Sequence, residues 1–177
     1  MVEKAETIQD VRALLSAFND GYAKRNPAAL DDFMNLFARD DHLEFIGVGG
    51  ILPGRGAWRV GREAVRDLVR CDWDYWGSVN IDVEKAHIAA FGDTAWVSTA
   101  GTVTTDDETE EFLGDKEEIL GVVRNMSASG SRVKPLRMTA ILVKQDGQWR
   151  FLQIHFSFSV RSLPKRIKKA LPLLTGK

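Results

Sequence analysis

The chain has 177 residues, of which 44% are hydrophobic and 28% are charged, with 24 basic and 25 acidic side chains. This length fits a single domain that buries a sizeable core without a disulfide or metal staple. Cys71 is the single cysteine, so an intrachain disulfide framework is excluded. The net charge of -1 argues against a globally basic nucleic-acid binder, and we expect no nucleic-acid partner.

The amino terminus, MVEKAETIQD, lacks the apolar run of a signal peptide. No stretch approaches the roughly 20 apolar residues that a membrane-spanning helix needs. We therefore expect a cytoplasmic protein with no membrane partner.

Two helices are predicted at the start of the chain. Apolar residues recur at steps of three and four, which is the pattern of one buried helical stripe: Ile8, Val11, Leu14, Leu15, Phe18 and Tyr22. Asn26 followed by Pro27 is a second helix start, because proline suits the first helical turn. A short amphipathic helix through Phe37 follows, and the pair predicts a helical hairpin over an apolar surface.

The pattern then changes from helix to strand and back. LEFIGV (43–48) predicts a strand, and the glycines and Pro53 after it predict an irregular loop through about Gly56. A third helix is predicted from Gly61 to about Arg70, ended by the segment CDWDYWGS. From Val79 the chain is mainly strand, with hairpin turn signals at 92–93 and 146–147.

Two segments do not fit this pattern, and each carries charges of mainly one sign. Residues 106–118 hold eight acidic residues, within an insertion at about 106–131, and the tail at 160–177 is basic. One interpretation pairs the two, with the insertion as a lid or dimer-covering helix. The other treats them as independent solvated segments, since surface ion pairs contribute only about 0–1 kcal/mol each.

Four stretches, in order, carry a family resemblance: LFARDDHLEFIG, GREAVRDLV, GDTAWVSTAGTV and RMTAILVKQDGQWRFLQIHFSFS. The chain resembles the nuclear transport factor 2-like superfamily in its SnoaL-like, ketosteroid isomerase-like branch. The resemblance implies an α+β cone of cystatin-like type, in which a curved antiparallel sheet wraps around the N-terminal helices. It also implies a pocket at the open end and a homodimer formed through the sheet. We treat 1–177 as one such domain, extended by the insertion and the tail.

Fold analogy does not choose a reaction, so the site residues decide. The resemblance places the base of the steroid isomerases near Ile46, which cannot take a proton. Glu44 lies two residues earlier on the same strand face and is our first candidate base, with His155 and Asp41 as helpers. The alternatives are a pocket-rim or salt-bridged Glu44, an interface hydrogen bond for His155 and a turn-forming role for Asp41. Phe18 lies roughly where the family has a tyrosine, so the isomerase triad is not reproduced.

Alternation along the last strand points one set of side chains inward, namely Leu152, Ile154, Phe156 and Phe158. It points the other set outward, namely Trp149, Phe151, Gln153, His155 and Ser157. The aromatic run around Trp73 and Trp76 is predicted to lie at the mouth of the cone, either as pocket wall or as a plug. The predicted pocket lining is Phe18, Tyr22, Ile46, Trp58, Trp73, Trp76, Ile154, Phe156 and Phe158.

The three histidines show no ligand spacing, so we expect no metal and no cofactor. The predicted function is binding of a small hydrophobic molecule, with acid–base turnover of the isomerase, cyclase or dehydratase kind left open. The alternative is a non-catalytic association module whose cone is filled by aromatic side chains. An open cavity distinguishes the first from the second.

Overall fold

The computed structural model describes residues 2–104 and 133–158. The acidic insertion and the basic tail, with the predictions made for them, lie outside these residues.

The N-terminal helical hairpin is confirmed. Helix α1 (Val2–Lys24) buries its apolar stripe, including Phe18 and Tyr22, which have no exposed surface. Asn26 then accepts a hydrogen bond from the amide of Ala28 and caps a 3-10 turn at Pro27–Ala29. Helix α2 (Leu30–Met34) continues directly from that turn and buries most of its side chains against the core.

The glycine-rich segment is a β-hairpin rather than the predicted loop. Strands β1 (Glu44–Leu52) and β2 (Arg55–Val60) pair antiparallel around a turn in which Gly54 has φ +79°. The glycines serve close strand packing, since a Cβ on Gly47 would lie 2.8 Å from the Cβ of Ala57. Glycine at these positions is therefore a packing feature within strands as well as a turn signal.

The third helix also differs from its prediction. Helix α3 (Arg62–Tyr75) runs five residues beyond the predicted end near Arg70, so the aromatic run is helical. The segment contains no proline and no internal glycine, and its apolar face continues at helical spacing to Trp73. This extension places Asp72 and Trp73 on the helix, facing the core from its last turns.

Within the described ranges, seven strands form one curved sheet of order β2-β1-β7-β6-β5-β3, with β4 also paired to β5. The pairs are antiparallel except for β1 and β7, which run parallel. The later strands are β3 (Ser78–Ile81), β4 (His87–Phe91), β5 (Thr94–Thr104), β6 (Val133–Gln145) and β7 (Gln148–Phe158).

The helices occupy one face of this sheet: α1 packs against β3, β4 and β7, and α3 packs against β1 and β2. The predicted α+β cone class is confirmed. No helix within residues 2–104 and 133–158 is long and apolar enough to cross a membrane.

Strand β7 contains an irregularity that the alternation rule misses. The register shifts between Ile141 and Leu142 on β6, where Gln153 and Phe151 are the successive partners on β7. Leu152 is thus an extra residue, and the side chains before it change face. Phe151 and Trp149 are consequently buried in the core, which corrects the outward position predicted for both.

Arginine side chains satisfy the carbonyls that follow α2. The guanidinium of Arg62 donates to the carbonyl oxygens of Met34, Phe37 and Ala38 at 2.9–3.2 Å. The guanidinium of the buried Arg150 donates to the carbonyl of Asn35. The Arg62 contacts link the end of α2 to the start of α3, and the Arg150 contact links it to β7.

Candidate ligand site at the Tyr22–Asp72 pair

Two helices bring a buried phenol and a half-buried carboxyl group together. Tyr22 lies on the last turns of α1, and Asp72 lies near the end of α3. The Tyr22 hydroxyl donates a hydrogen bond to Asp72 Oδ2 over 3.0 Å. The two residues are 50 positions apart in sequence, so the helix packing alone creates this pair.

The environment changes the proton affinity of both groups. Burial raises the pKa of the Asp72 carboxyl from 3.8 to about 7, and the hydrogen bond from Tyr22 offsets part of that rise. Burial, followed by the adjacent Asp72 charge, raises the pKa of Tyr22 well above its usual 10. Asp72 therefore exchanges a proton near neutral pH while Tyr22 stays a hydrogen-bond donor.

Aromatic rings surround this pair. The Tyr22 ring lies 4.9 Å from Phe18 and meets Trp73 and Phe156 edge-on, with centroids 6.4 Å away in both cases. Trp76, which is half-buried, lies 5.7 Å from Phe156. The phenol that donates to the carboxyl group thus lies in an apolar aromatic shell, and burial of the carboxyl group beside it raises the pKa of Asp72.

One member of the shell carries an unused donor. Trp73 is 5% exposed, and its indole Nε1 has no hydrogen-bond partner among the described residues. The indole nitrogens of Trp58 and Trp149 are also buried without a partner. A buried polar group without a partner is uncommon in native structures and requires an explanation.

The structure places most of the predicted lining in the interior. Phe18, Tyr22, Trp73, Ile154 and Phe156 are buried members of the core. The half-buried side chains that pack against it include Trp76 and Phe158.

Ile46 and Trp58 require a correction. They are direct partners across β1 and β2, and they alternate with Phe45, which is fully buried against Phe37 and Phe156. They therefore lie on the outer face of the sheet, opposite the helices, because adjacent strand residues point to opposite faces. Their predicted place in the pocket wall is wrong for that reason.

Glu44 and His155 share this outer face. Glu44 flanks Phe45 and accepts a hydrogen bond from Gln153 Nε2 at 2.7 Å across the parallel β1–β7 pair. His155 pairs with Ile46 and is exposed. The expected interior position of Glu44 is corrected, because its strand register turns it away from the core, whereas His155 lies on the outward face that the alternation along the last strand predicts.

Asp41 lies apart from the site. It is exposed in the turn before β1, where its neighbour Asp40 accepts a hydrogen bond from the amide of His42 at 2.8 Å. This is the turn geometry that the sequence analysis offered as the alternative. Across residues 2–104 and 133–158, no three acidic, histidine or cysteine side chains converge as a metal site requires.

The outer face also carries exposed apolar side chains. Phe91 is 84% exposed and Trp96 is 47% exposed, and Trp96 is the direct partner of the exposed Ile141. Trp96, Ile141 and His155 alternate with core residues, so they all lie opposite the helices. We call the residues Phe91, Trp96 and Ile141 the outer apolar patch.

Sequence reasoning did not select Asp72 as a functional residue. Its signal is helical spacing: Val65, Leu68, Val69 and Asp72 follow one another at steps of three and four. A carboxylate in the apolar stripe of a helix indicates a buried acid. The signal was lost because the helix was predicted to end at Arg70.

Comparisons with known proteins agree with this architecture. The family model described as "SnoaL-like domain" matches residues 11–161. No curated protein matches the sequence significantly.

Solved structures match over most of the chain. An NTF2-like protein with a cystatin-like fold from Novosphingobium aromaticivorans is 14% identical, with a TM-score of 0.58 over 94% of this chain and 88% of that one. A candidate dehydratase of the NTF2-like family from Streptomyces avermitilis is 13% identical, with a TM-score of 0.60 over 88% and 98%. A candidate calcium/calmodulin-dependent protein kinase type II association domain from Thiobacillus denitrificans is 23% identical, with a TM-score of 0.56 over 83% and 93%. At these identities the likeness shows the fold.

Proposed function

Because the chain belongs to the SnoaL-like domain family, we propose that its cone binds a small, largely apolar molecule beside Tyr22 and Asp72. The single observation that carries this proposal is the hydrogen bond between the buried Tyr22, which aromatic rings enclose, and the half-buried Asp72. Apolar walls with a few convergent polar groups are the usual composition of small-molecule sites.

The same pair suits acid–base chemistry. A carboxyl group with a pKa of about 7 gives and takes a proton at neutral pH with little cost. Turnover of the isomerase, cyclase or dehydratase kind, without a cofactor, is therefore the enzymatic form of the proposal. The likeness to a candidate dehydratase is consistent with it. Asp72 replaces Glu44 as the proposed proton-transfer group, because Glu44 faces away from the core.

Binding is tested with ethylnaphthalene, an apolar probe, followed by the NMR signals of the five tryptophan indoles. We expect saturable shifts of the Trp73 and Trp76 signals and none of the outer-face Trp96 signal. The assignment uses one Trp→Phe variant for each tryptophan. The proposal is contradicted if the probe shows no saturable binding up to its solubility limit. It is also contradicted if only the Trp96 signal shifts.

A second candidate function is self-association, and the outer apolar patch favours it. Exposed Trp96 and Ile141 form a paired apolar surface on the open face of the sheet. We propose that a second copy of the chain covers this face in a homodimer. One comparison structure is a candidate association domain, which fits such a role.

Sedimentation velocity tests the homodimer. Ile141→Lys introduces a charge into the patch and is expected to shift the protein to monomer at the same concentration. Gln9→Lys, on the exposed face of α1, is the matched control and is expected to leave the state unchanged. A wild-type monomer, or a dimer that tolerates Ile141→Lys, contradicts this assignment.

A further inference from the structure

Three different parts of the chain place an arginine at the short segment that follows α2. The Arg62 guanidinium, from the first residue of α3, donates to three carbonyl oxygens of residues 34–38 at 2.9–3.2 Å. The Arg150 guanidinium, from the start of β7, donates to a fourth carbonyl of the same segment. Arg39 directly follows that segment in the chain. We call Arg39, Arg62 and Arg150 the arginine cluster.

The positive charges of this cluster repel one another without a paired carboxylate. Across residues 2–104 and 133–158, none of the ion pairs includes an arginine of the cluster. Burial lowers the pKa of the Arg62 guanidinium, and the charges of Arg39 and Arg150 lower it further, whereas Glu63 raises it and has the smallest effect. Arg39 and Arg150 are thus both close enough to Arg62 to repel its charge.

The innermost member of the cluster has an unused donor. Arg150 is 4% exposed, and its Nε–H has no hydrogen-bond partner within the described part of the chain. Its terminal nitrogens donate to a backbone carbonyl and, over 3.0 Å, to the side-chain oxygen of Gln148, and both of these acceptors are neutral. Arginine is almost never fully buried unless it is paired. A buried guanidinium with neutral partners and a donor to spare therefore indicates a binding site for an anion.

Solvent reaches the cluster from one side. Arg39 is exposed and Arg62 is half-buried, so the exposure of the three arginines increases outward from the buried Arg150. Gln148, which accepts from Arg150, is also exposed, so the buried guanidinium lies close beneath the surface. Along the axis of α3 the cluster lies about 15 Å from Asp72. It is therefore a separate place from the interior site described above.

We propose that the arginine cluster binds a dianionic phosphate group, with Arg39 and Arg62 on its solvent side and the Arg150 Nε–H as its innermost donor. Guanidinium groups carry their N–H donors in a planar fork that matches the oxygens of phosphate. An anion with two charges is favoured over one with a single charge, because three cations are close together. This site goes beyond the proposed function and does not depend on it.

Thermal unfolding of the full chain tests phosphate binding at about pH 8, where phosphate is a dianion. Sodium phosphate is compared with sodium chloride at equal ionic strength, and we expect phosphate alone to raise the melting temperature saturably. The expected dissociation constant is on the order of 1 mM. Arg39→Gln, a change at an exposed residue, is expected to weaken phosphate binding about tenfold, because a charge-assisted hydrogen bond is lost.

Arg55→Gln is the matched control for the lost charge. Arg55 is exposed at the turn between β1 and β2, and the variant is expected to keep the wild-type affinity for phosphate. Equal stabilisation of the wild type by the two salts overturns the proposal, since it shows only a general effect of salt. An undiminished response of Arg39→Gln to phosphate overturns it as well.

Two further anions test the class of ligand. Acetate, which carries one charge, is expected to bind at least about tenfold more weakly than phosphate, and equal affinity for the two overturns the phosphate assignment. Phenyl phosphate distinguishes the sources of a phosphate group. Tighter binding of phenyl phosphate than of inorganic phosphate supports a site for a phosphate ester, and the reverse order supports a site for free phosphate.

NMR of the wild-type protein adds a readout that needs no variant. The Nε–H signal of Arg150, assigned through its own side-chain resonances, is expected to shift saturably with inorganic phosphate and to stay in place with chloride. The shift is expected to give the same dissociation constant as thermal unfolding. Stabilisation by phosphate without a shift of this signal overturns the assignment of Arg150 as the innermost donor.

Discussion

The half-buried Asp72 makes the stability of the protein depend on pH in a specific direction. The folded Asp72 has a pKa of about 7, against 3.8 for the ordinary carboxyl group. Between these values the folded state binds the proton and the unfolded state does not, so unfolding becomes easier as the pH rises. We predict that the free energy of unfolding falls by about 4 kcal/mol from about pH 4 to about pH 8 through this group.

Asp72→Asn removes the titratable carboxyl group and keeps an oxygen that accepts the hydrogen bond from the Tyr22 hydroxyl. The variant is expected to lose this fall in stability, and to gain on the wild type above about pH 7 because no buried charge forms. Tyr22→Phe is expected to move the midpoint of the fall upward, since the phenol hydrogen bond favours the carboxylate. Urea denaturation at closely spaced pH values, followed by tryptophan fluorescence, measures all three proteins.

The difference between the wild type and Asp72→Asn isolates the group from other acids. Asp82, for example, has a pKa lowered by its hydrogen bonds from Lys85, so its contribution is lost only as the pH falls through that lowered value. Parallel stability curves for the wild type and Asp72→Asn between about pH 4 and about pH 8 would refute the reasoning.

Three further predictions concern packing and placement. Gly21→Ala is expected to lower the free energy of unfolding by about 1–3 kcal/mol, because the added Cβ would lie 2.2 Å from the Phe33 ring. This loss is expected although alanine favours a helix more than glycine does, and thermal unfolding measures it. Arg62→Met is expected to lower the free energy of unfolding by about 3 kcal/mol in urea denaturation, because three carbonyl groups lose a charged donor. The control Arg55→Met, at the exposed turn, is expected to lower it by less than about 0.5 kcal/mol. Glu44→Gln is expected to leave the ethylnaphthalene affinity, measured by calorimetry, within about twofold of wild type. A larger loss would restore Glu44 to the interior site.

Much of the fold follows from local pattern. The stripe ending in Phe18 and Tyr22 is periodic enough to predict α1, and the Asp146-Gly147 turn predicts the β6–β7 hairpin. The β1–β2 hairpin was not predicted, because glycines usually indicate turns and loops. In this segment they instead allow two paired strands to pack closely. The change of face at Phe151 depends on the bulge at Leu152, which arises from pairing with β6 rather than from the local sequence.

The site was only partly predictable for a related reason. Tyr22 and Trp73 were expected in the pocket lining from their apolar surroundings. Their partner Asp72 is polar, and only the packing of α1 against α3 makes it a site residue. Glu44 and Ile46 were chosen by analogy with a strand position, and the register of β1 against β7 turns both outward.

The most direct test is a carboxyl NMR titration of Asp72 in the full chain, without ligand and saturated with ethylnaphthalene. We predict a midpoint near 7 in the free protein, and a higher midpoint with ethylnaphthalene bound, because an apolar ligand beside the carboxyl group disfavours its charged form. A midpoint near 4 in the free protein, unchanged by ethylnaphthalene, would contradict a ligand site at Tyr22 and Asp72.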